Sequence, residues 1–297
     1  MSTDSILRLI ALSAIWGSSF LFMRIGAPLL GPVVLIALRV SLAALFLWLV
    51  RIGRGSPSGM RGQARHLLIL GLINSALPFL LFATAARTLS ASLMAILNAT
   101  APIWGALVGA LWSRTLPRPA VFVGLLLGIV GVAILVHFDP SSVGVDAHVA
   151  VLLGLAASLC YGIATTYAHS APRIDAFANA EGSMWAATLW IGPAVPFFAH
   201  STPFSATLLV SVLALGILCS GIAYLLYFRL IADLGPAPAL TVTFLVPIFG
   251  ILWGHLFLGE AVGWDTLLGA VIVIAGTALV TGFSLRSFRR VATPRRL

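Results

Sequence analysis

Apolar residues fill this chain in ten stretches of membrane-spanning length. They lie at about 5–24, 31–51, 66–86, 90–112, 118–137, 148–169, 178–199, 206–230, 236–258 and 264–284. About 20 apolar residues cross a bilayer as one helix, so each stretch predicts a transmembrane helix. Pro and Gly mark the joints, as in Gly31-Pro32, Pro117-Arg118-Pro119, Pro172 and Gly235-Pro236. The longest polar stretches run from Arg51 to Arg65 and from Arg286 to Leu297, which leaves no room for a separate soluble domain.

The pattern matches itself at one fixed offset of 145 residues. Pro102, Gly105, Gly109, Gly124 and Gly131 fall on Pro247, Gly250, Gly254, Gly269 and Gly276. Upstream, Gly71 and Ser75 fall on Gly216 and Ser220, and Trp16-Gly17 on Tyr161-Gly162. Five spans per copy is an odd number, so the second copy enters the bilayer in the opposite sense. An inverted repeat of this kind belongs mostly to transporters. The expected fold is all-α: ten transmembrane helices as two inverted five-helix repeats around a central cavity. The expected divisions are 1–140, 141–285 and a basic cytoplasmic tail, 286–297.

Composition agrees. The chain is 60% hydrophobic and 8% charged with mean hydropathy +1.10, far from the roughly 25% charged residues of soluble domains. The net charge of +9 comes from 17 arginines and no lysine. With the N-terminus cytoplasmic, fourteen arginines fall inside and only Arg24 and Arg87 outside. The positive charge therefore fixes topology, with both termini in the cytoplasm, and argues against a nucleic-acid partner. Cys160 and Cys219 lie in apolar segments, where thiols behave as small apolar residues, so neither a disulfide nor a metal site is expected.

Candidate functional residues fall into three groups. Pro102-x-x-Gly105-x-x-x-Gly109 and Pro247-x-x-Gly250-x-x-x-Gly254 combine a kink with exposed backbone. They place helices four and nine together near the pseudo-two-fold axis, as packing features or as cavity wall. Trp16 and Tyr161 stand at mid-span, away from the interfaces where Trp and Tyr collect, and a polar aromatic there calls for a hydrogen-bond partner. At similar depth come Ser19, Asn74, Asn98, Thr165, Trp185 and Tyr224, with Pro78 as a further kink. As a set, aromatic faces with neutral donors and acceptors suit a small zwitterionic or aromatic solute. Each alone also reads as an interhelical hydrogen bond. Arg39 lies about 18 Å along the helix from Arg51, and an intramembrane arginine faces a cavity or a partner, or else braces packing.

No Asp or Glu is expected well inside a span, so a carboxylate proton relay is unsupported. Without lysine there is no Walker motif, and no metal or nucleophile–base motif points to an enzyme. No catalytic residue and no cofactor is expected.

The Leu258-Gly259-Glu260 turn, the Gly269-to-Gly276 spacing and the opening Ala14-Ile15-Trp16-Gly17-Ser18-Ser19-Phe20 resemble the drug/metabolite transporter superfamily, EamA type, over about residues 5–284. Thr115 stands where that family often has glutamate after the fourth helix. In overall character the chain resembles YddG-type aromatic amino-acid exporters. The resemblance implies a monomeric inner-membrane carrier of a small-molecule solute, with helices 1–4 and 6–9 around the cavity and 5 and 10 peripheral. The direction it implies is export. The expected activity is alternating access at a midplane cavity for amino acids, aromatic ones included. Alternatives are another cargo (a drug, nucleoside, sugar phosphate or lipid-linked solute) or a non-transporting membrane enzyme or subunit.

Overall fold

The computed structural model describes residues 3–138, 145–171, 174–199, 205–234 and 241–282. The boundary at 140, the basic tail, Arg173, Pro172 and Gly235-Pro236 lie outside the described residues. Ten helical segments follow one another: α1 (Thr3–Leu30), α2 (Pro32–Gly53), α3 (Ala64–Ala85), α4 (Ala91–Trp112), α5 (Pro119–Phe138), α6 (Val145–Ser170), α7 (Ala176–Ile191), α8 (Ala206–Leu234), α9 (Val242–Leu258) and α10 (Trp264–Thr281). Seven of the described helices are long and apolar enough to cross a membrane by themselves. The stretches Pro119–Leu135 and Val242–Leu258 are shorter apolar helices, and α7 has 16 residues before a 3-10 turn at Gly192–Ala194. That turn carries Pro193, whose missing N–H interrupts the α-helical ladder. The helix resumes over Val195–Phe198, so the segment reaches the expected end near 199 with a break at Pro193. Conversely, α1 runs past Pro28 to Leu30 and ends at Gly31, whose φ of 75° reverses the chain.

Packing obeys the sequence offset. Helix α1 lies along α9, and its repeat mate α6 lies along α4; α3 lies along α6 as α8 lies along α1; α2 meets α8 as α7 meets α3. The remaining broad contacts, α2 with α7, α4 with α9 and α5 with α10, are their own mates. Every one of these contacts joins one repeat to the other, so the repeats interdigitate. Helices α5 and α10 pair at the periphery, where Leu126, Ile129, Val130 and Val271 stay exposed. In hydrocarbon such apolar faces are satisfied by lipid, while the helices satisfy their own backbone.

A matched contact against backbone sits at Gly17 and Gly162. A Cβ at Gly17 would lie 2.7 Å from the Phe249 Cβ and 2.9 Å from the Gly250 nitrogen. One at Gly162 would lie 2.7 Å from the Gly105 nitrogen and 2.8 Å from the Trp104 carbonyl carbon. Because backbone sits on the far side, the contact cannot relax by a rotamer change. Gly17→Ala and Gly162→Ala should each destabilise the detergent-solubilised protein by about 1–2 kcal/mol, read as a lowered thermal midpoint. Gly192→Ala, with nothing within 4 Å of the added carbon, is the control.

The expected meeting of α4 and α9 occurs by a different route. Gly250 packs against Ala95, whereas Gly105 packs against Gly162 of α6, 3.7 Å away. The two prolines also differ in effect. At Pro102 the helix is interrupted by a turn at Ala99–Thr100, while α9 continues through Pro247. Backbone around that interruption is satisfied from the other repeat: Ser158 Oγ donates to the Leu97 carbonyl (2.8 Å) and Thr277 Oγ1 to the Ala99 carbonyl (2.7 Å). A broken helix survives at membrane depth only when such partners are supplied.

Candidate functional site

Helices α3 and α8 each leave the α-helical register for a π-helical stretch, Leu72–Ala76 and Ala214–Ile222. Shifted by 145, the first falls within the second. A π turn widens the helix and re-aims its side chains, and here the stretch in α3 carries Asn74. The matched Gly71 and Gly216 lie at these same positions, tight against α7 and α2 respectively.

Asn74 lines a cavity of about 340 Å³ bounded by α3, α6, α7 and α8, within the size range of small-molecule sites, about 300–1,000 Å³. Helix α6 contributes Thr165 and His169, α7 contributes Asn179 and Ser183, and α8 contributes Tyr224, Tyr227 and Phe228. The three aromatic residues occupy i, i+3 and i+4, one face of a helix. The rings of Tyr224 and Phe228 stack with centroids 5.9 Å apart, and Tyr227 packs on Trp16 at 5.3 Å. The Tyr224 hydroxyl faces Asn74 and Ser75. Thr165 Oγ1 donates to the Tyr161 carbonyl (2.8 Å) and Ser183 Oγ to the Ala180 carbonyl (3.0 Å). Their oxygens keep lone pairs available to a solute.

Around the mouth, buried His66 of α3 bridges α6 and α7. Its Nε2 lies 3.1 Å from Asn179 Oδ1 and its Nδ1 3.2 Å from the Tyr167 hydroxyl. With the amide oxygen accepting, Nε2 carries the proton and Nδ1 accepts from Tyr167. Nearby, Glu181 is completely buried and bound by Arg51, with Nε 2.9 and 3.1 Å from the two carboxylate oxygens. Glu181 stands near the start of its span, as expected of an acid, yet it is buried and paired rather than facing solvent. Arg51 lies 130 positions away in sequence, so no local pattern announces the pair.

The cavity opens at the end of the bundle that carries Arg51 and His66. The other end is shut. Arg24 donates to the Ala86 and Arg87 carbonyls, both at 2.9 Å, and Phe82, Leu89, Leu93, Met94 and Leu97 are buried to 1% exposure or less. The repeat offset turns this into a direct comparison. The mates of the lining residues Leu70, Thr165, Tyr224, Tyr227 and Phe228 are Leu215, Phe20, Phe79, Phe82 and Ala83, and all five mates are buried.

Of the residues singled out from sequence, the structure brings Asn74, Thr165 and Tyr224 together on the cavity wall. Trp16 stands one layer behind, on Tyr227, and Tyr161 stacks on Phe82 with centroids 6.4 Å apart. Ser19 and Pro78 are buried in the packing, and Asn98 is half-buried beside the break in α4. Trp185 stands apart from the cavity lining: it is 37% exposed while Ser183, Met184, Ala186 and Ala187 around it are buried. Tyr227 and Phe228 escaped notice, although their helical spacing from Tyr224 was the available signal.

Arg39 is 4% exposed in the middle of the bundle. Its Nε donates to Ser220 Oγ (2.9 Å), its NH1 lies 3.8 Å from the Met23 sulfur, and its guanidinium carbon sits 3.6 Å from the Phe79 ring centroid.

Two interdigitated helical repeats with a solute-sized cavity open at one end define a polytopic membrane transporter. The chain belongs to the EamA-like transporter family, which matches residues 5–137 and 148–282. An uncharacterized transporter of Archaeoglobus fulgidus is 27% identical over 95% of this chain and 98% of its own. A probable terminal-alkyne amino-acid exporter of Streptantibioticus cattleyicolor is 26% identical over 95% and 94%. A solved crystal structure of a protein at 17% identity superposes with TM-score 0.66, covering 99% of this chain and 100% of that one. That likeness concerns the fold.

Proposed function

We propose that this protein is a secondary carrier that exports amino acids, aromatic ones included, by alternating access across the cytoplasmic membrane. One observation carries the reading. Repeat-related side chains occupy opposite environments, with Tyr224 and Tyr227 on an open cavity and Phe79 and Phe82 in a sealed core. A framework that accommodates both arrangements at matched positions can exchange them, closing one end as it opens the other. The arginine bias makes the open end cytoplasmic, so the present state is the one that loads solute for export. The division into two repeats at about residue 140 makes two bundles equivalent, α1 with α8 and α9 and α6 with α3 and α4, and these are the two moving bodies. Aromatic rings supply the apolar surface, and Asn74, Asn179 and Tyr224 supply donors and acceptors. The amino-acid cargo draws support from the Streptantibioticus cattleyicolor relative.

The experiment is solute flux in proteoliposomes with aromatic, aliphatic and hydroxy amino acids and a sugar phosphate. Saturable flux of aromatic amino acids is expected, with the apparent KM raised about tenfold in Asn74→Ala or Tyr227→Ala at equal yields of folded protein, the effect of losing one or two kcal/mol of solute contact. Flux of the sugar phosphate alone would overturn the cargo, and flux of nothing on the panel would overturn the amino-acid assignment. Trp185→Ala should leave flux unchanged, because that side chain stands outside the cavity lining.

A further inference from the structure

Resting on the transport reading, we propose that Arg39 is the receptor for a carboxylate carried by the solute. A guanidinium offers five N–H donors in a planar fork. Among the described residues Arg39 finds only a serine hydroxyl and a thioether as acceptors, with an aromatic ring beneath it. The buried carboxylate and the one at the start of α4 are committed elsewhere. Glu181 is bound to Arg51, and Glu260 accepts from the start of α4. A charge held in low dielectric without a counter-ion costs several kcal/mol, so a permanent positive centre is maintained with no counter-ion among the described residues.

The position of that charge supplies the rest. Tyr161 and Tyr224 are its neighbours on α6 and α8, and Tyr224 is also cavity wall. The link to the cavity is α8: Ser220, which accepts from Arg39, lies one helical turn before Tyr224 of the cavity wall. The repeat offset makes the charge singular. Ser220, which accepts from Arg39, has Ser75 as its mate. Where Arg39 stands, the second repeat has Met184. Ser75 Oγ is buried and has no arginine on it. The two repeats share the serine and the π turn and differ in the charge. A structural brace common to the architecture would recur in both halves; a receptor for one charged group of one solute need not. Arg39 donates bidentately to the carboxylate, in the fork geometry that lysine lacks. Asn74, Tyr224 and the rings of Tyr227 and Phe228 then receive the remainder of the solute.

The test compares L-phenylalanine with phenethylamine, which lacks only the carboxylate, using the wild type, Arg39→Met (the side chain at the matched position) and Arg39→Lys. Counterflow in proteoliposomes and thermal midpoint in detergent are the two readouts. Wild type should prefer the carboxylate-bearing member by about 10- to 100-fold, the worth of charged hydrogen bonds. Arg39→Met should lose the preference, and Arg39→Lys should retain part of it. If Arg39→Met does not fold, the lysine variant and the wild-type preference decide the matter. Equal handling of both compounds by the wild type, or an undiminished preference in the folded variants, would overturn the proposal while leaving transport intact. Should neither compound cross, the amino-acid cargo falls. The thermal arm then decides: benzoate and L-phenylalanine raising the wild-type midpoint but not that of Arg39→Met supports the carboxylate site, and no shift overturns it.

Discussion

Arg51→Leu lowers the stability of the solubilised protein by about 3–5 kcal/mol, the cost of leaving a buried charge without its partner. Glu181 has no exposed side-chain surface, and Arg51 is 17% exposed, so water cannot replace the guanidinium at the carboxylate. The measurement is a double-mutant cycle on thermal midpoints. Arg51→Leu and Glu181→Leu are each made alone and together, with Arg61→Leu, on an exposed residue, as the control. The double variant recovers most of the loss, because an apolar pair of similar volume avoids the desolvation that the ion pair bears. Equal losses in the single and double variants would mean that the side chains matter for volume alone. The pair joins α2 to α7, the contact in which each helix meets its own repeat mate, so it holds the two halves together beside the open mouth.

What could be read in advance follows from what a bilayer enforces. Ten apolar stretches and their 145-residue offset were plain because hydrocarbon demands length and apolarity everywhere. The offset also reached individual contacts: Gly17 on Phe249–Gly250 and Gly162 on Trp104–Gly105 are one contact made twice. Facing was illegible. Nothing local says whether Trp185 looks inward, and α7 turns it outward one turn after the buried Glu181. The π turns were also hidden, although Gly71, Gly216, Ser75 and Ser220 had marked their place. Sequence symmetry gave no hint that Tyr224 and Phe79 would differ in environment, since that difference belongs to the conformation. The burial of Glu181 was hidden because a charge five residues inside a helix end looks solvent-facing until its distant partner, Arg51, is known.

Glu260→Ala weakens the closed end and shifts the protein toward opening there. The Glu260 carboxylate accepts from the Ala91 nitrogen (2.6 Å), the Ser92 nitrogen (3.1 Å) and Ser92 Oγ (2.6 Å), capping the first turn of α4 from beyond the end of α9. Negative charge at a helix N-terminus is stabilised by the unpaired N–H groups there. A carboxylate with three short contacts adds charge-assisted hydrogen bonds. Gly254 leaves the room it needs, since a Cβ there would strike the Glu260 carboxylate. At the matched position Thr115 has a shorter, neutral side chain, so the open end carries no equivalent carboxylate, and the two ends differ in the strength of their closure. Removing the carboxylate costs about 2 kcal/mol, discounted for the partial exposure of the site. Cysteine placed at Leu89, now fully buried at the sealed end, then reacts faster with a membrane-impermeant thiol reagent in Glu260→Ala than in the parent. Glu260→Gln, which keeps one acceptor oxygen, gives an intermediate rate. An unchanged rate in Glu260→Ala would show that the apolar seal of Phe82, Met94 and Leu97 holds that end closed without the cap.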